Sequence, residues 1–376
     1  MKKFFLLASL LIFFLIPRQI HAQDIKYLDV KIGNAYSQGN IAKISSDKNI
    51  YIVDKSFNKV MDLNVKDLNV SLKDKNITFS NGNNILYNNF PSDGSLLLKS
   101  DGDLKIGNTY RGYISFRIVA NSIHVVNRVE LEDYLKGVVP KELSAEYPLE
   151  SLKAQAICSR SFALKNINKL SKYGYNLDDT TRCQVYKGKS AEEKRSSQAV
   201  DETRGLVAKY NNQIADTIFG ASSGGRTANV VEVWGGKPVN YLSSFEDPYS
   251  KEYKWEYKLT KNDIKNKLNK SNINIGEFVN FNITDKDSSG RNKTIEIVGT
   301  LKTEKMSSNK FRSIFGNTKL KSTLFKINTL NDQVVFSGSG YGHGVGMSQY
   351  GAVNMAKKGK NYKEIIAFYF PGVTLQ

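Results

Sequence analysis

The 376-residue sequence predicts an α+β chain, and three observations predict it. Short β-rich runs separated by turn residues fill the stretch from Asp24 to Val126. Apolar side chains then recur at helical spacing behind Pro148. Beyond these, strand-like and helix-like segments alternate to the C-terminus.

The elements follow in order. Lys2 and Lys3, the apolar run Phe4 to Ile16 and the small residue Ala22 read as a secretory signal over 1–22, with a cut between Ala22 and Gln23. The run is short for a bilayer span, which needs ~20 residues; an uncleaved anchor is the alternative reading. A β-rich region, 23–104, is expected to pack on the core. Asn49 to Val53 and Ile77 to Phe79 are strand-like, and Asn81-Gly82 before Ile85 signals a hairpin. Gly112 to Val119 and Ile123 to Val126 continue as strands, and His124 alternates there with apolar neighbours as a structural residue. Pro148 suits the first position of a helix. Leu149, Leu152, Ala156, Ala163, Ile167 and Leu170 carry that helix to about Leu170. Ile214 to Phe219 reads as a strand, Lys261 to Leu268 as a lysine-rich helix and Thr294 to Val298 as a strand. The end reads as strand, glycine loop, a helix from Ser348 to Lys358 and a short helix before Pro371.

The glycine loop is Gly340-Tyr-Gly-His-Gly-Val-Gly-Met-Ser-Gln-Tyr-Gly-Ala352. Five glycines around one histidine suit positive φ or close approach of backbone to a ligand. Composition leaves a tight turn and a functional loop equally open. A second segment, Val129 to Glu142 followed by Tyr147 to Ala163, stands two hundred residues earlier. With Thr180-Thr-Arg-Cys-Gln-Val-Tyr-Lys-Gly188, Ser222-Ser-Gly-Gly-Arg-Thr227, Glu232-Val-Trp-Gly235, Phe311-Arg312, Lys321-Ser-Thr-Leu-Phe325 and Tyr369-Phe-Pro-Gly372, these segments resemble the SpoIID/LytB family from about Lys105 to Gln376. The family's sporulation members are peptidoglycan lytic transglycosylases. The resemblance implies a mixed β-sheet with a long helix and two lobes around a glycan-binding groove, which periodicity does not show.

The family's catalytic glutamate maps onto Glu142, just after Pro140 and between a strand-like apolar run and the Pro148 helix. From the residues alone a surface glutamate in a polar loop is the better reading there, with Glu132, Glu146 and Glu150 close by, and the motif match reverses it. A carboxylic acid of raised pKa can protonate a glycosidic oxygen. Hydrolysis normally takes two carboxylates. A lytic transglycosylase needs one, because the muramic 6-hydroxyl attacks C1 and forms a 1,6-anhydro ring. Asp179 and Glu232 are the candidates for a second. The groove implied by the resemblance would draw on Ser222, Ser223, Gly224, Gly225 and Thr227 for hydroxyls and backbone N–H groups. Trp234 and Tyr341 would be stacking faces. His343, Ser348 and Gln349 would bind sugar or orient Glu142, and Gln155 and Arg160 would support it or touch glycan.

Some sporulation members hold zinc near the segment matching Thr180 to Cys183. Here Asp178 and Arg182 stand where cysteine and histidine are expected, and structural zinc takes four N/S ligands. No zinc and no cofactor are expected. Export permits a disulfide between the two cysteines, Cys158 and Cys183, while two free buried thiols remain equally open. A thiol peptidase using Cys158 and His343 fits poorly, since Cys158 falls about ten residues into a helix rather than at its N-terminus. A zinc amidase lacks a His-x-x-x-His pair.

The chain carries 54 Lys+Arg against 36 Asp+Glu, a net charge of +18. Losing the leader removes Lys2, Lys3 and Arg18 and leaves the balance strongly basic. Such a surplus favours acidic partners, for an exported chain anionic wall polymers beside the glycan strands or lipid headgroups. Export and the lack of a basic, aromatic-laced stripe argue against nucleic acid. The competing function is non-enzymatic: a wall-binding enhancer of a partner amidase, which would not depend on Glu142.

Overall fold

The computed structural model describes residues 26–376, so the expected leader over 1–22 lies outside the described residues. The first half is one eleven-stranded sheet. It contains β1 (Tyr27–Ser37), β2 (Ile41–Asp54), β3 (Lys59–Lys73), β4 (Asn76–Asn81), β5 (Asn84–Phe90), β6 (Leu96–Ser100), β7 (Leu104–Ile106), β8 (Asn108–Tyr110), β9 (Tyr113–Val119), β10 (Ser122–Glu130) and β11 (Leu177–Asp178). Its order is β11-β1-β10-β9-β6-β2-β3-β4-β5, with β7 paired to β2 and β8 to β7. The β1–β11 pairing is parallel and the others antiparallel, so the sheet is mixed. Period-two burial drives it: Leu28, Val30 and Ile32 of β1 all point into the core. The hairpin signal holds, with Asn81 paired to Asn84 around Gly82 at φ 57°. His124 lies in β10, its Nδ1 3.2 Å from the Tyr175 hydroxyl. Pairings of β1 with β10 and of β6 with β9 carry this sheet across position 104/105.

Helix α1 (Leu131–Glu142) occupies the run that reads as strand-like. Leu131, Tyr134, Leu135, Val138 and Val139 are its buried face, a 3–4 spacing that a strand cannot place on one side. Pro140 falls in the last turn, where Leu143 N–H still bonds the Val139 carbonyl. Helix α2 (Leu149–Lys165) starts behind Pro148, which takes the N-cap and not the first helical position. It stops at Lys165, short of Leu170, because Asn166 folds its side-chain amide back onto the Phe162 carbonyl at 2.9 Å. Twelve of its residues are buried, so it is the central pillar of the molecule.

The chain continues through α3 (Lys194–Glu202), β12 (Ala208–Tyr210), β13 (Gln213–Ile214) and β14 (Phe219–Gly220). The strand expected over Ile214 to Phe219 is therefore broken. In the gap, the Thr217 hydroxyl turns to the Cys158 carbonyl at 2.8 Å. After α4 (Val230–Trp234) comes an inserted unit: β15 (Lys254–Thr260), α5 (Lys261–Lys270), β16 (Phe278–Lys286), β17 (Asn292–Gly299), β18 (Thr303–Ser307), α6 (Ser308–Phe315), β19 (Phe325–Leu330) and β20 (Gln333–Ser339). Its two three-stranded sheets share a core of their own around Ile264, Phe281, Phe311 and Phe336. Both the lysine-rich helix and the Thr294 strand are found here, the helix closed by a Thr260/Asp263 capping box. The glycine loop then leads to β21 (Met347–Ser348), α7 (Gln349–Lys357), α8 (Tyr362–Tyr369) and β22 (Thr374–Leu375). β21 pairs in parallel with β14, setting Phe219 opposite Met347.

The fold is thus mixed α and β around a large mixed sheet. Both cysteines are free and buried, so the Cys158–Cys183 bridge is not formed. The reason is placement. Cys158 packs with α7 and α8, its Sγ 3.8 Å from Met347 Sδ, whereas Cys183 belongs to the core of the large sheet.

Candidate functional site

Glu142 is the last residue of α1 and is partly buried. Burial raises its carboxyl pKa, and its one backbone donor, Val185 N–H, stands at 3.4 Å from Oε1 and pulls weakly the other way. The negative end of the α1 dipole further disfavours a carboxylate there. The backbone beneath is clamped. Gln349 Nε2 donates to the Glu142 carbonyl at 3.0 Å and to Gln155 Oε1 at 3.1 Å. Gln155 Nε2 in turn donates to Ser159 Oγ at 3.1 Å. Gln349 thus holds the main chain of Glu142, and Gln155 holds Gln349. Gln349 also satisfies a helix C-terminal carbonyl, which would otherwise lack an intrahelical donor.

Several residues expected to meet sugar are committed inside the protein. Arg160 is fully buried, and its Nε and Nη2 grip Glu132 at 2.9 and 2.7 Å. Its remaining donors go to the Leu206 and Val200 carbonyls. It braces α1 against α2 and is not available to a ligand. Ser222 Oγ lies 2.8 Å from Ser250 Oγ, and Ser223 Oγ donates to Asp247 at 2.6 Å. Thr227 Oγ1 donates to the Ser243 carbonyl at 3.0 Å. Ser348 Oγ contacts Ser250 Oγ at 2.8 Å and caps α7 through Gly351 N–H. These hydroxyls are buried because their loops pack on one another, so their role is to lock the loops. Gly225, at φ 105°, makes the turn beside Lys251.

The lock is tightest where Gly224 meets Gly340. Ser222 and Tyr341 exchange backbone bonds at 3.0 and 2.9 Å. A Cβ on Gly340, at φ 78°, would lie 2.9 Å from both Gly224 N and the Ser222 carbonyl oxygen. Gly340→Ala is expected to lower stability by about 1–3 kcal/mol, read as a fall in the denaturant midpoint. An unchanged midpoint would show that these loops are not rigidly joined.

His343 sits partly buried beyond the lock. Its Nδ1 accepts from Val345 N–H at 3.0 Å, which leaves the proton on Nε2, toward the Phe219 backbone. Burial, then the Arg291 and Arg312 charges, push its pKa down to about 4. It is neutral at any ordinary working pH and bonds the loop through Val345 N–H. Trp234 meets the ring edge-on at 4.9 Å and is 53% exposed, and Tyr341 is half-buried. His343, Gly342, Glu232, Asn292 and Arg312 line a cavity of about 290 Å³ against the inserted unit.

The two candidates for a second carboxylate are engaged. Asp179 accepts from Gly33 N–H at 3.1 Å and faces Lys187 at 3.7 Å. Glu232 takes the Ser288 N–H and hydroxyl. Around Cys183 a turn stands in for metal ligation: Asp178 Oδ1 accepts from Thr180 N and Oγ1, and Cys183 N–H returns to the Thr180 carbonyl. Among the described residues, no group of three or more His, Cys, Asp or Glu is placed to hold a metal. Sequence reasoning missed Glu132, Asp247 and Ser250, which serve Arg160, Ser223 and Ser348. Only the Asp247-Pro248 step carries a local signal, that of a turn.

Comparison with known proteins places these elements. Residues 119–210, which include α1, Glu142 and α2, match the family model described as Stage II sporulation protein. Residues 237–346, which contain the inserted unit and the glycine loop as far as Gly346, match one described as a domain of unknown function, DUF8618. An uncharacterized protein of Brachyspira hyodysenteriae is 35% identical over 289 residues, covering 75% of this chain and 76% of its own length. Stage II sporulation protein D of Bacillus subtilis is 31% identical over 282 residues, covering 70% of this chain and 79% of that protein. The amidase enhancer of Bacillus subtilis is 30% identical over 289 residues, with 64% of this chain matching 40% of that protein.

Proposed function

Since the chain belongs to the SpoIID/LytB family, we propose that it is an exported lytic transglycosylase of peptidoglycan that uses Glu142 as its one acid and base. The observation that carries this reading is a carboxyl of raised pKa, with a single long backbone bond, on a main chain clamped by Gln349. The protonated Glu142 gives its proton to the oxygen between muramic acid and glucosamine, and the C1–O bond breaks. The muramic 6-hydroxyl attacks C1 and returns a proton to Glu142. No positioned water is needed, which suits a site whose other candidate carboxylates are engaged elsewhere. The glycan runs in a groove past Trp234 and Tyr341. Activity requires the protonated acid, so it is lost as pH rises through the raised pKa of Glu142. Mass spectrometry of glycan strands incubated with residues 23–376 should find 1,6-anhydromuramic ends. Reducing ends alone would mean hydrolysis and reject the mechanism. Export is part of the proposal, and the N-terminus of the exported protein should read Gln23.

A second reading rests on the relative named amidase enhancer. Here the same groove binds wall glycan and a partner amidase does the cutting. Stimulation of an amidase that survives Glu142→Gln, with no cleavage by the native protein alone, would favour it.

A further inference from the structure

Two parts of the sequence resemblance, Phe311-Arg312 and Lys321 to Phe325, have no role in the acid–base reaction. The structure joins them. Arg312 spends its guanidinium on backbone carbonyls, donating to Leu320 at 2.7 Å and to Lys321 at 2.8 Å. Gly342 N–H of the glycine loop adds a second bond to the Lys321 carbonyl at 2.9 Å. Ser322 Oγ fixes the next residue to the Ser339 carbonyl at 2.6 Å. The main chain under Lys321 is therefore held from both sides.

The ammonium above it meets aromatic rings and no carboxylate among the described residues. Lys321 Nζ lies 5.1 Å from the Tyr253 ring centre and 5.9 Å from that of Tyr341, and donates to the Tyr253 hydroxyl at 3.3 Å. It forms no ion pair among the described residues. Aromatic faces hold a cation in place without neutralising it. The rings continue as a strip. Tyr341 is 6.1 Å from Tyr253, and Tyr253 is 5.0 Å from Tyr350, which is 41% exposed. Tyr350 directly follows Gln349, the residue that clamps Glu142. A small cavity of about 120 Å³, lined by Ser250, Glu252, Tyr253, Tyr350 and Asn354, opens beside it. The strip thus joins the residue after Gln349 to a fixed positive charge.

We propose that Lys321 is a specificity-determining residue that reads a carboxylate on the glycan lying along the Tyr350–Tyr253–Tyr341 strip. The inference rests on the glycan-binding part of the reading above, not on cleavage. Pyranose rings suit aromatic faces, and an ammonium donates a charge-assisted hydrogen bond to a carboxylate. On peptidoglycan that carboxylate has two sources. One is the lactyl group of a muramic acid without its peptide; the other is a stem peptide.

Binding should be measured by calorimetry in a Glu142→Gln background, so that cutting does not intrude. Three probes are used: glycan strands freed of peptide, strands bearing peptides, and peptide-free strands with their lactyl carboxyls methyl-esterified. Lys321→Gln is expected to weaken binding of a carboxylate-bearing probe about tenfold, flatten its salt dependence and leave the esterified probe unchanged. Lys321→Arg should restore binding. Loss confined to peptide-free strands assigns the lactyl carboxylate, and loss confined to peptide-bearing strands assigns the stem. Equal loss on the esterified probe, or no loss on any probe, overturns the proposal. Lysine-dependent binding by a native protein that cuts nothing would uphold this inference while rejecting the transglycosylase reading.

Discussion

Glu142→Gln is expected to lower glycan cleavage by about 10²–10⁴-fold, the usual contribution of positioned acid–base catalysis. Glutamine keeps the shape and the bond from Val185 N–H, and it leaves Gln349 on the same carbonyl. Glycan binding should therefore survive. The same variant has a second, independent readout. Burial raises the Glu142 pKa in the folded state above its unfolded value. The folded protein then binds the proton more tightly than the unfolded chain. Stability conferred by the neutral carboxyl is full below the unfolded pKa and falls as pH rises through the folded one. Glutamine cannot ionise, so the variant should match the native protein at acidic pH and exceed it in stability near neutrality. Denaturant titrations across that range check the sign. An active variant would move the acid to another residue. A variant less stable at neutral pH than at acidic pH, relative to native, would mean that the carboxylate is stabilised in place.

Much of the fold was legible because its signals are local. The Asn81-Gly82 hairpin, the alternation through β9 and β10, and the helix behind Pro148 rest on neighbours within a few residues. Helix α1 was not. Its apolar residues Leu131, Tyr134, Leu135, Val138 and Val139 follow helical spacing, but the adjacent Val138-Val139 pair and the late Pro140 mask it, and the segment reads as a strand. The glycine loop announced positive φ, borne out at Gly340, Gly342, Gly344 and Gly346. What those glycines approach, such as the Arg291 guanidinium beside Gly344, lies far away in sequence. Glu142 could be singled out only through the family motif. Its neighbours Glu132 and Glu150 look the same in sequence, yet one grips Arg160 and the other holds Lys153. Polar residues of the motif invited a sugar-binding role. Burial reassigns most of them to loop locking, a distinction that needs the tertiary structure.

Arg160 tests that reassignment most severely. Replacing it by leucine leaves the Glu132 carboxylate buried without its cation, and strips donors from the Leu206 and Val200 carbonyls. Breaking one side of a buried pair costs about 3–5 kcal/mol, so Arg160→Leu should fold poorly, with a large drop in denaturant midpoint. Glu132→Gln should be damaging too, though less, because the amide oxygen can still accept from the guanidinium. Removing both charges together, as Glu132→Leu with Arg160→Met, should cost clearly less than the two single losses combined, since no charge is then stranded. A ligand-binding arginine would behave differently: its loss would spare stability and weaken glycan affinity. Arg160→Leu protein of native stability with impaired binding would therefore return Arg160 to the groove. The buried bidentate geometry predicts the opposite, a failure of the α1–α2 brace that withdraws Glu142 along with the helix that carries it.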